Sequence, residues 1–416
     1  MDKKIIKQII LRQQYFVSRV ALQTRDIALD PSANYVLVGM RRAGKSYTLY
    51  QHIQQLIAQG HSKEEILFIN FEDERITDIK KEELHLILEA YQELFNHTPI
   101  LFLDEIQNVD GWEHFARRLA DEKYRVFITG SNAHMLSREI SSTLGGRYLT
   151  KEITPFSLAE YLEYHNIQLE PHWTLSPQKA EVARLFPDYF YYGGLPEVFD
   201  IQDKQAWLLS LYQKILYSDI IIRKGVRNEQ SMRMLVRKLA DSVMQPTAIK
   251  RLQNILQGNG TKISWETIGN YIHYLQEAYL MFSISNFNDS FSERESIKKH
   301  YFYDNGVLNL FLFQPETKLL ENLVAIHLYQ KYADRLFYYN RNVEVDFCVP
   351  TEKLLIQVAY HLYDENTVRR ETSALVKTAD FIKADRLLIV TYDQERTLSL
   401  HGYTIQVLPI WEWLLE

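Results

Sequence analysis

The clearest chemistry in the chain sits in one run of residues, Gly39-Met40-Arg41-Arg42-Ala43-Gly44-Lys45-Ser46. It fits the pattern G-x-x-x-x-G-K-[ST], and the physics needs these types at this spacing. The glycines let backbone N–H groups turn inward around phosphate oxygens, and a helix starting at the loop adds positive potential. Lys45 can reach the β- and γ-phosphates of a nucleoside triphosphate, and Ser46 can ligate Mg²⁺. With Tyr47 opening the next helix, residues 39–47 are the expected binding loop for ATP or ADP.

A phosphate loop of this kind needs an apolar strand ending in a carboxylate. Ile100-Leu101-Phe102-Leu103-Asp104-Glu105 supplies one. Asp104 is the expected partner of Ser46 around Mg²⁺, and Glu105 the base that orients and deprotonates the attacking water. A further strand closes on Thr129-Gly130-Ser131-Asn132. Ser131 or Asn132 there would sense the γ-phosphate. Gly145-Gly146-Arg147 offers an arginine on a glycine turn, a candidate finger for the γ-phosphate of a neighbouring copy. Arg41, Arg42 and Arg138 are weaker candidates for that role.

These residues require elements that hold them. Tyr35–Val38, Ile66–Ile69, Ile100–Leu103 and Val126–Ile128 are short continuous apolar runs separated by helical stretches. That pattern predicts a parallel sheet covered on both faces. An amphipathic helix is expected to open the chain over residues 4–20. From about residue 155 the sequence reads as mostly helical to about 285, with breaks at Gly193-Gly194 and Gly258-Asn259-Gly260. After residue 300, strand-like runs at 336–339, 343–349 and 354–360 are followed by a long polar helix and strands at 387–390 and 404–408.

Composition excludes several classes. Hydrophobic residues are 46% and charged residues 24%, so wholesale disorder is ruled out. The single cysteine, Cys348, leaves no intramolecular disulfide and no CxxC zinc site. The 13 histidines show no HxH or HxxxH spacing. No stretch approaches the roughly 18 apolar residues of a spanning helix, and no signal segment is read, so a cytoplasmic protein without membrane contact is expected.

Gly39–Ser46, Leu101-Phe102-Leu103-Asp104-Glu105-Ile106-Gln107, Ile128-Thr129-Gly130-Ser131-Asn132 and Gly146-Arg147 with Pro155-Phe156-Ser157 resemble the AAA-type P-loop ATPases of bacteria and archaea that carry a C-terminal domain of unknown function. Tyr192-Gly193-Gly194-Leu195-Pro196, Tyr303-Asp304-Asn305-Gly306, Glu321-Asn322 and Glu344-Val345-Asp346-Phe347 resemble that C-terminal part. The resemblance implies an Mg²⁺-dependent ATPase in which the first motifs are the Walker A and Walker B sequences.

Residues 223–251 hold eight Lys/Arg against two acids, a formal charge of +6 in a chain of net -6. Ser264 with Thr267 resembles the cap of a recognition helix, and residues 279–283 a wing strand, as in a winged helix. DNA is the partner this suggests, with Tyr271 and Tyr274 near its backbone; a helical protein-interaction module is the other reading. The end of the chain resembles a restriction-endonuclease-like core. Glu321 and Asp346 fit two of its acids, but the acid-x-Lys strand reads Gln357-Val358-Ala359. Gln357 can still offer an oxygen, whereas Ala359 cannot assist a nucleophile, so nuclease activity is not expected.

The expected fold is α/β: a P-loop ATPase parallel sheet, a helical winged-helix-like middle, and an α/β restriction-endonuclease-like C-terminal domain. The expected pieces are an N-terminal helix (1–20), the ATPase (21–180), the helical middle (185–290) and the end (291–416). The expected function is an ATP-driven machine or switch, acting on DNA and assembling with copies of itself. The alternative is a nucleotide-gated scaffold whose C-terminal domain recruits a protein partner.

Overall fold

The computed structural model describes residues 1–136, 138–258 and 263–416, with the side chains of 134, 136, 138, 139, 291, 292 and 295 left out. The turn expected at Asn259-Gly260 and the side chain of Arg138 lie outside the described residues. Contacts divide the chain into two compact units, Met1–Thr154 and Pro155–Glu416.

The first unit is a sheet of five parallel strands: β1 (Asn34–Val38), β2 (Ile66–Asn70), β3 (Ile100–Asp104), β4 (Arg125–Gly130) and β5 (Tyr148–Glu152). Their order across the sheet is β2-β3-β4-β1-β5. The four expected apolar runs are the four buried strands, β1 to β4. β5 is a mostly polar edge strand that the apolar pattern did not reveal. The helices of this unit are α1 (Lys3–Val17), α2 (Lys45–Ala58), α3 (His85–Gln92), α4 (Trp112–Asp121) and α5 (Arg138–Leu144). α1 buries Ile6, Ile9 and Ile10 of the expected apolar side Ile5, Ile6, Ile9 and Ile10, leaves Ile5 half-buried, and adds Val17. Tyr35, Phe102 and Phe127 stack between neighbouring strands beneath Leu49 and Ile53 of α2.

The second unit holds the helices α6 (Leu158–Tyr164), α7 (Gln178–Tyr192), α8 (Lys204–Lys214), α9 (Glu229–Asp241), α10 (Ile249–Gly258), α11 (Trp265–Glu277), α12 (Phe291–Ser296), α13 (Asn305–Asn309), α14 (Glu316–Tyr332), α15 (Glu365–Ile382) and α16 (Ile410–Trp413). A π-helical run, Ile215–Ile222, continues α8. The strands are β6 (Thr247–Ala248), β7 (Met281–Asn286), β8 (Ile297–Phe302), β9 (Phe337–Asn340), β10 (Glu344–Val349), β11 (Leu354–Val358), β12 (Arg386–Thr391), β13 (Arg396–Leu400) and β14 (Tyr403–Pro409). All nine lie in one mixed sheet, ordered β13-β14-β12-β11-β10-β9-β7-β8-β6. Strands from both the 185–290 and the 291–416 segments therefore share a sheet, joined where β8 pairs with β6 and β7 and where β7 pairs with β9.

The motifs 193–194, 303–306 and 321–322 meet in one buried hydrogen-bond network. Gly194 N–H donates to Asp304 Oδ2 at 2.9 Å, and Asp304 Oδ1 caps α13 by accepting from Val307 N–H at 3.1 Å. Asn322 brackets Phe302, accepting from its N–H at 2.8 Å and donating to its carbonyl at 3.1 Å. Asn305 donates to Phe190 O and Leu319 O. Buried backbone groups at a helix end and a strand end need such partners, which accounts for these polar residues inside a core. Among the described residues no helix is long and apolar enough to cross a membrane.

Candidate functional site

Parallel register carries the site residues to one end of the first sheet. Val38 lies beside Gly130, and Leu103 beside Ile128. The loop after β1, the Asp104-Glu105 pair after β3 and the 129–132 segment after β4 thus share the carboxyl edge, where open α/β sheets bind ligands.

The loop itself is tightly built. Gly39 has φ 140, and a Cβ on it would lie 2.1 Å from the carbonyl oxygen of Ile153, so no other residue fits. Gly44, at φ 101, opens α2 without a side-chain cap, which leaves the amides of the first turn to the loop. Lys45 is buried, and its ammonium donates to Gly39 O at 3.1 Å and Met40 O at 3.0 Å. Met40 and Ala43 are buried. Arg41 pairs with Glu72 at 3.3 Å, Arg42 is exposed at φ 65, and Tyr47 is exposed beside Tyr50.

Ser46 Oγ donates to Asp104 Oδ1 at 3.0 Å, and Thr129 Oγ1 donates to the same oxygen at 2.6 Å. Asp104 Oδ2 is buried with no hydrogen-bond partner among the described residues. An orphaned buried carboxylate oxygen next to a serine hydroxyl fits a magnesium shell, whose hard cation takes oxygen ligands. Burial and the neighbouring Glu105 push the Asp104 carboxyl up to about 7, against the pull of Thr129, Ser46 and Lys45.

Glu105 stands in the left-handed region at φ 54, with its N–H donating to Thr129 Oγ1 at 2.9 Å. Gln107 Nε2 donates to Glu105 Oε2 and lies 3.5 Å from Ser131 Oγ. Lys45 Nζ is 4.0 Å from Glu105 Oε1. Ser131 and Asn132 are both buried at the end of β4. The structure therefore brings Lys45, Ser46, Asp104, Glu105 and Ser131 into one constellation.

Arg147 stands elsewhere in this unit. Its Nε donates to Asp121 Oδ1 at 2.5 Å, and its Nη1 to the carbonyls of Leu144 and Gly145 at 3.3 Å. Within a single chain it closes its own turn onto the end of α4.

Three further residues belong to the site. Thr129 bridges Asp104 to the Glu105 backbone, and Gln107 holds the Glu105 carboxylate. Buried Arg25 props the loop from behind, donating to Ala43 O at 3.2 Å and Thr154 O at 3.0 Å. Gln51 of α2 grips the Arg25 backbone at both N–H and C=O. Thr129 could have been found from strand register, since the residue after Leu103 and Ile128 on adjacent strands is Asp104 on one and Thr129 on the other. Arg25 has no local sequence signal.

The basic segment 223–251 divides in the structure. Lys224 pairs with Glu277 at 2.6 Å, Arg233 with Glu229 at 3.2 Å and Lys238 with Asp241 at 2.9 Å, while Arg223, Arg227, Arg237, Lys250 and Arg251 are exposed. Tyr271 is buried in the core, because its position on α11 faces inward; this corrects its expected place near a DNA backbone.

Comparison with known proteins matches two parts of the chain. A family model described as "AAA domain" matches residues 32–162, and one described as "Domain of unknown function (DUF8612)" matches residues 183–318. An uncharacterized protein of Methanocaldococcus jannaschii is 36% identical over 100% of this chain and 96% of its own length. An uncharacterized protein of Haemophilus influenzae is 28% identical over 99% of this chain and 100% of its own. Among solved structures, a Walker-type ATPase of Pyrococcus abyssi aligns at 14% identity and TM-score 0.39, covering 74% of this chain and 95% of that one.

Proposed function

Since the chain belongs to the AAA-type P-loop ATPases that carry a C-terminal domain of unknown function, we propose that it is an Mg²⁺-dependent ATP hydrolase that uses the nucleotide cycle as a switch. The supporting observation is Asp104, fixed through one oxygen by Ser46 and Thr129 while its other oxygen stays unpartnered among the described residues. Mg²⁺ held by Ser46 and the Asp104 shell would offset phosphate charge. Lys45 binds the β- and γ-phosphates in place of the loop carbonyls. Glu105 takes a proton from water, and Ser131 with Asn132 reads the γ-phosphate. Arg147 exchanges Asp121 for the γ-phosphate of a neighbouring copy; a half-exposed ion pair is worth only about 0–1 kcal/mol, so the exchange is inexpensive.

The test is Lys45→Ala in the purified chain. Loss of ATP binding by calorimetry, or at least loss of turnover, is expected. Normal turnover in a folded variant would refute the assignment.

DNA is the proposed target of the switch. The order α9-β6-α10-α11-β7-β8, with β6 and β7 both antiparallel to β8, supports a winged-helix reading of residues 229–302. α11 carries no Lys or Arg, so phosphate contacts would come from Arg223, Arg227, Arg237, Lys250 and Arg251. Such contacts weaken steeply with salt. A mobility shift that is insensitive to salt, or absent at low salt, favours the protein-partner scaffold instead.

A further inference from the structure

The second unit contains a lysine enclosed by acids. Lys299 of β8 is wholly buried. Its Nζ lies 3.1 Å from Glu344 Oε1, 3.2 Å from Asp346 Oδ1 and 3.5 Å from Glu321 Oε1. Two of these acids come from β10 and one from α14, so with Lys299 on β8 three elements meet at one point. Tyr301 OH donates to Glu321 Oε1 at 2.7 Å. Glu321 Oε2 is buried with no hydrogen-bond partner among the described residues, and Glu321 lines a cavity of about 770 Å³ with Glu344, Asp346, Gln357 and Arg370.

Glu321 and Asp346 are the acids that the nuclease-like pattern assigns to a divalent ion. The arrangement does not fit one. The point shared by the carboxylates is filled by an ammonium group. The Gln357 amide is engaged at both its oxygen and its nitrogen. Its Oε1 accepts from Asp346 N–H at 2.8 Å, and its Nε2 donates to Glu371 Oε2 at 2.7 Å and Glu344 O at 3.1 Å. Asp346 Oδ2 accepts from Val358 N–H at 3.0 Å. Among the described residues no group of three or more His, Cys, Asp or Glu side chains has the arrangement of a metal site.

We propose that Lys299 is a resident cation standing where a divalent ion would sit, so that this pocket takes no metal, and that removing the ammonium uncovers a divalent-cation site made by Glu321, Glu344 and Asp346. Three carboxylates around one point repel one another strongly in a buried setting and must be offset by a cation or by protons. Burial works against the Lys299 charge, yet Glu321, Asp346 and Glu344 together hold its pKa above the ordinary value. An ammonium donates hydrogen bonds to all three acids and, unlike a hydrated ion, is tethered to β8. Oxygen-only ligation suits Mg²⁺ or Mn²⁺ once the lysine is gone.

Mn²⁺ titration of the full chain without nucleotide, followed by electron paramagnetic resonance, tests this. Lys299→Met should bind one more Mn²⁺ per chain than wild type, at least about tenfold more tightly than any wild-type site of that unit. Lys299→Met/Asp346→Asn should lose the added site. A folded Lys299→Met chain with no added Mn²⁺ overturns the proposal, as does a wild-type Mn²⁺ site that Asp346→Asn abolishes. If Lys299→Met does not fold in metal-free buffer, it is refolded with Mn²⁺ or with chelator. Recovery only with Mn²⁺ supports the proposal, and equal failure in both overturns it.

Discussion

The Thr129 hydroxyl joins the two adjacent acids of the site, donating to Asp104 Oδ1 at 2.6 Å while accepting the Glu105 N–H at 2.9 Å. One side chain thereby sets both the carboxylate beside Ser46 and the backbone from which the proposed base projects. Thr129→Val keeps the shape and removes both bonds. It should cost about 1–3 kcal/mol of stability, the range for orphaning a buried polar group. Turnover should fall roughly tenfold or more, since about 1.4 kcal/mol is a factor of ten. Denaturant melts and steady-state ATPase assays read the two effects, and unchanged values in both would remove Thr129 from the site.

Glu105 and Asp104 are adjacent but differently held, one by Gln107 and the other by Ser46 and Thr129. Glu105→Gln should keep nucleotide bound and slow hydrolysis by roughly 10²-fold, the scale for losing a general base. Asp104→Asn should instead weaken Mg²⁺-dependent nucleotide affinity. Calorimetry with and without Mg²⁺, alongside turnover, separates the pair. Identical defects in affinity and rate would show that the roles are not divided.

Arg147 gives the prediction for assembly. Arg147→Ala should lower turnover by on the order of 10³-fold, the lower end for an arginine finger, with ATP affinity nearly intact. Mixing it with Lys45→Ala should restore part of the activity, because each copy supplies what the other lacks. Specific activity should rise with protein concentration. Activity that is independent of concentration, and unaffected by Arg147→Ala, would leave Arg147 as the residue that closes its turn onto Asp121.

Acid should weaken the second unit through His300. This ring is fully buried, with Nδ1 2.7 Å from Ser283 Oγ, and burial, aided by Lys298, lowers its pKa from 6.5 to about 4. The unfolded chain takes up a proton near 6.5, and the folded chain does not until about 4. The stability owed to keeping the ring neutral is thus complete above pH 6.5 and is lost as pH falls towards 4. Its full extent is on the order of 3 kcal/mol, at about 1.4 kcal/mol per pH unit. His300→Gln should flatten the fall in unfolding free energy over that window, measured by denaturant titration at several pH values. An unchanged slope would place the acid sensitivity elsewhere.

What could be read from sequence was whatever lies contiguous along the chain. Gly39–Ser46 and the strand ending in Asp104-Glu105 carry type, spacing and context in a few residues. The buried strands announced themselves as apolar runs. β5 did not, because an edge strand with Thr150, Lys151 and Glu152 lacks that signature. Gln107 looked like any polar residue after a strand until the turn brought its amide to Glu105. Lys299 was invisible for a stronger reason: its three partners, Glu321, Glu344 and Asp346, are distant in the chain, and only the fold that brings α14 and β10 within reach of its side chain gives it meaning. Ala359 marked a lysine missing from one strand, and sequence gave no hint that another strand had placed one among the same acids.

The peptide that leaves the first unit is fastened to the phosphate loop at two places. Ile153 N–H donates to Val38 O at 2.8 Å, and its carbonyl occupies the space a side chain on residue 39 would need. One residue later, Thr154 O shares the Arg25 guanidinium with Ala43 O. Residues 38–43 and 153–154 are therefore pinned to each other inside the first unit, with Arg25 as the rivet, so the last residues of that unit are part of the backing of the phosphate loop.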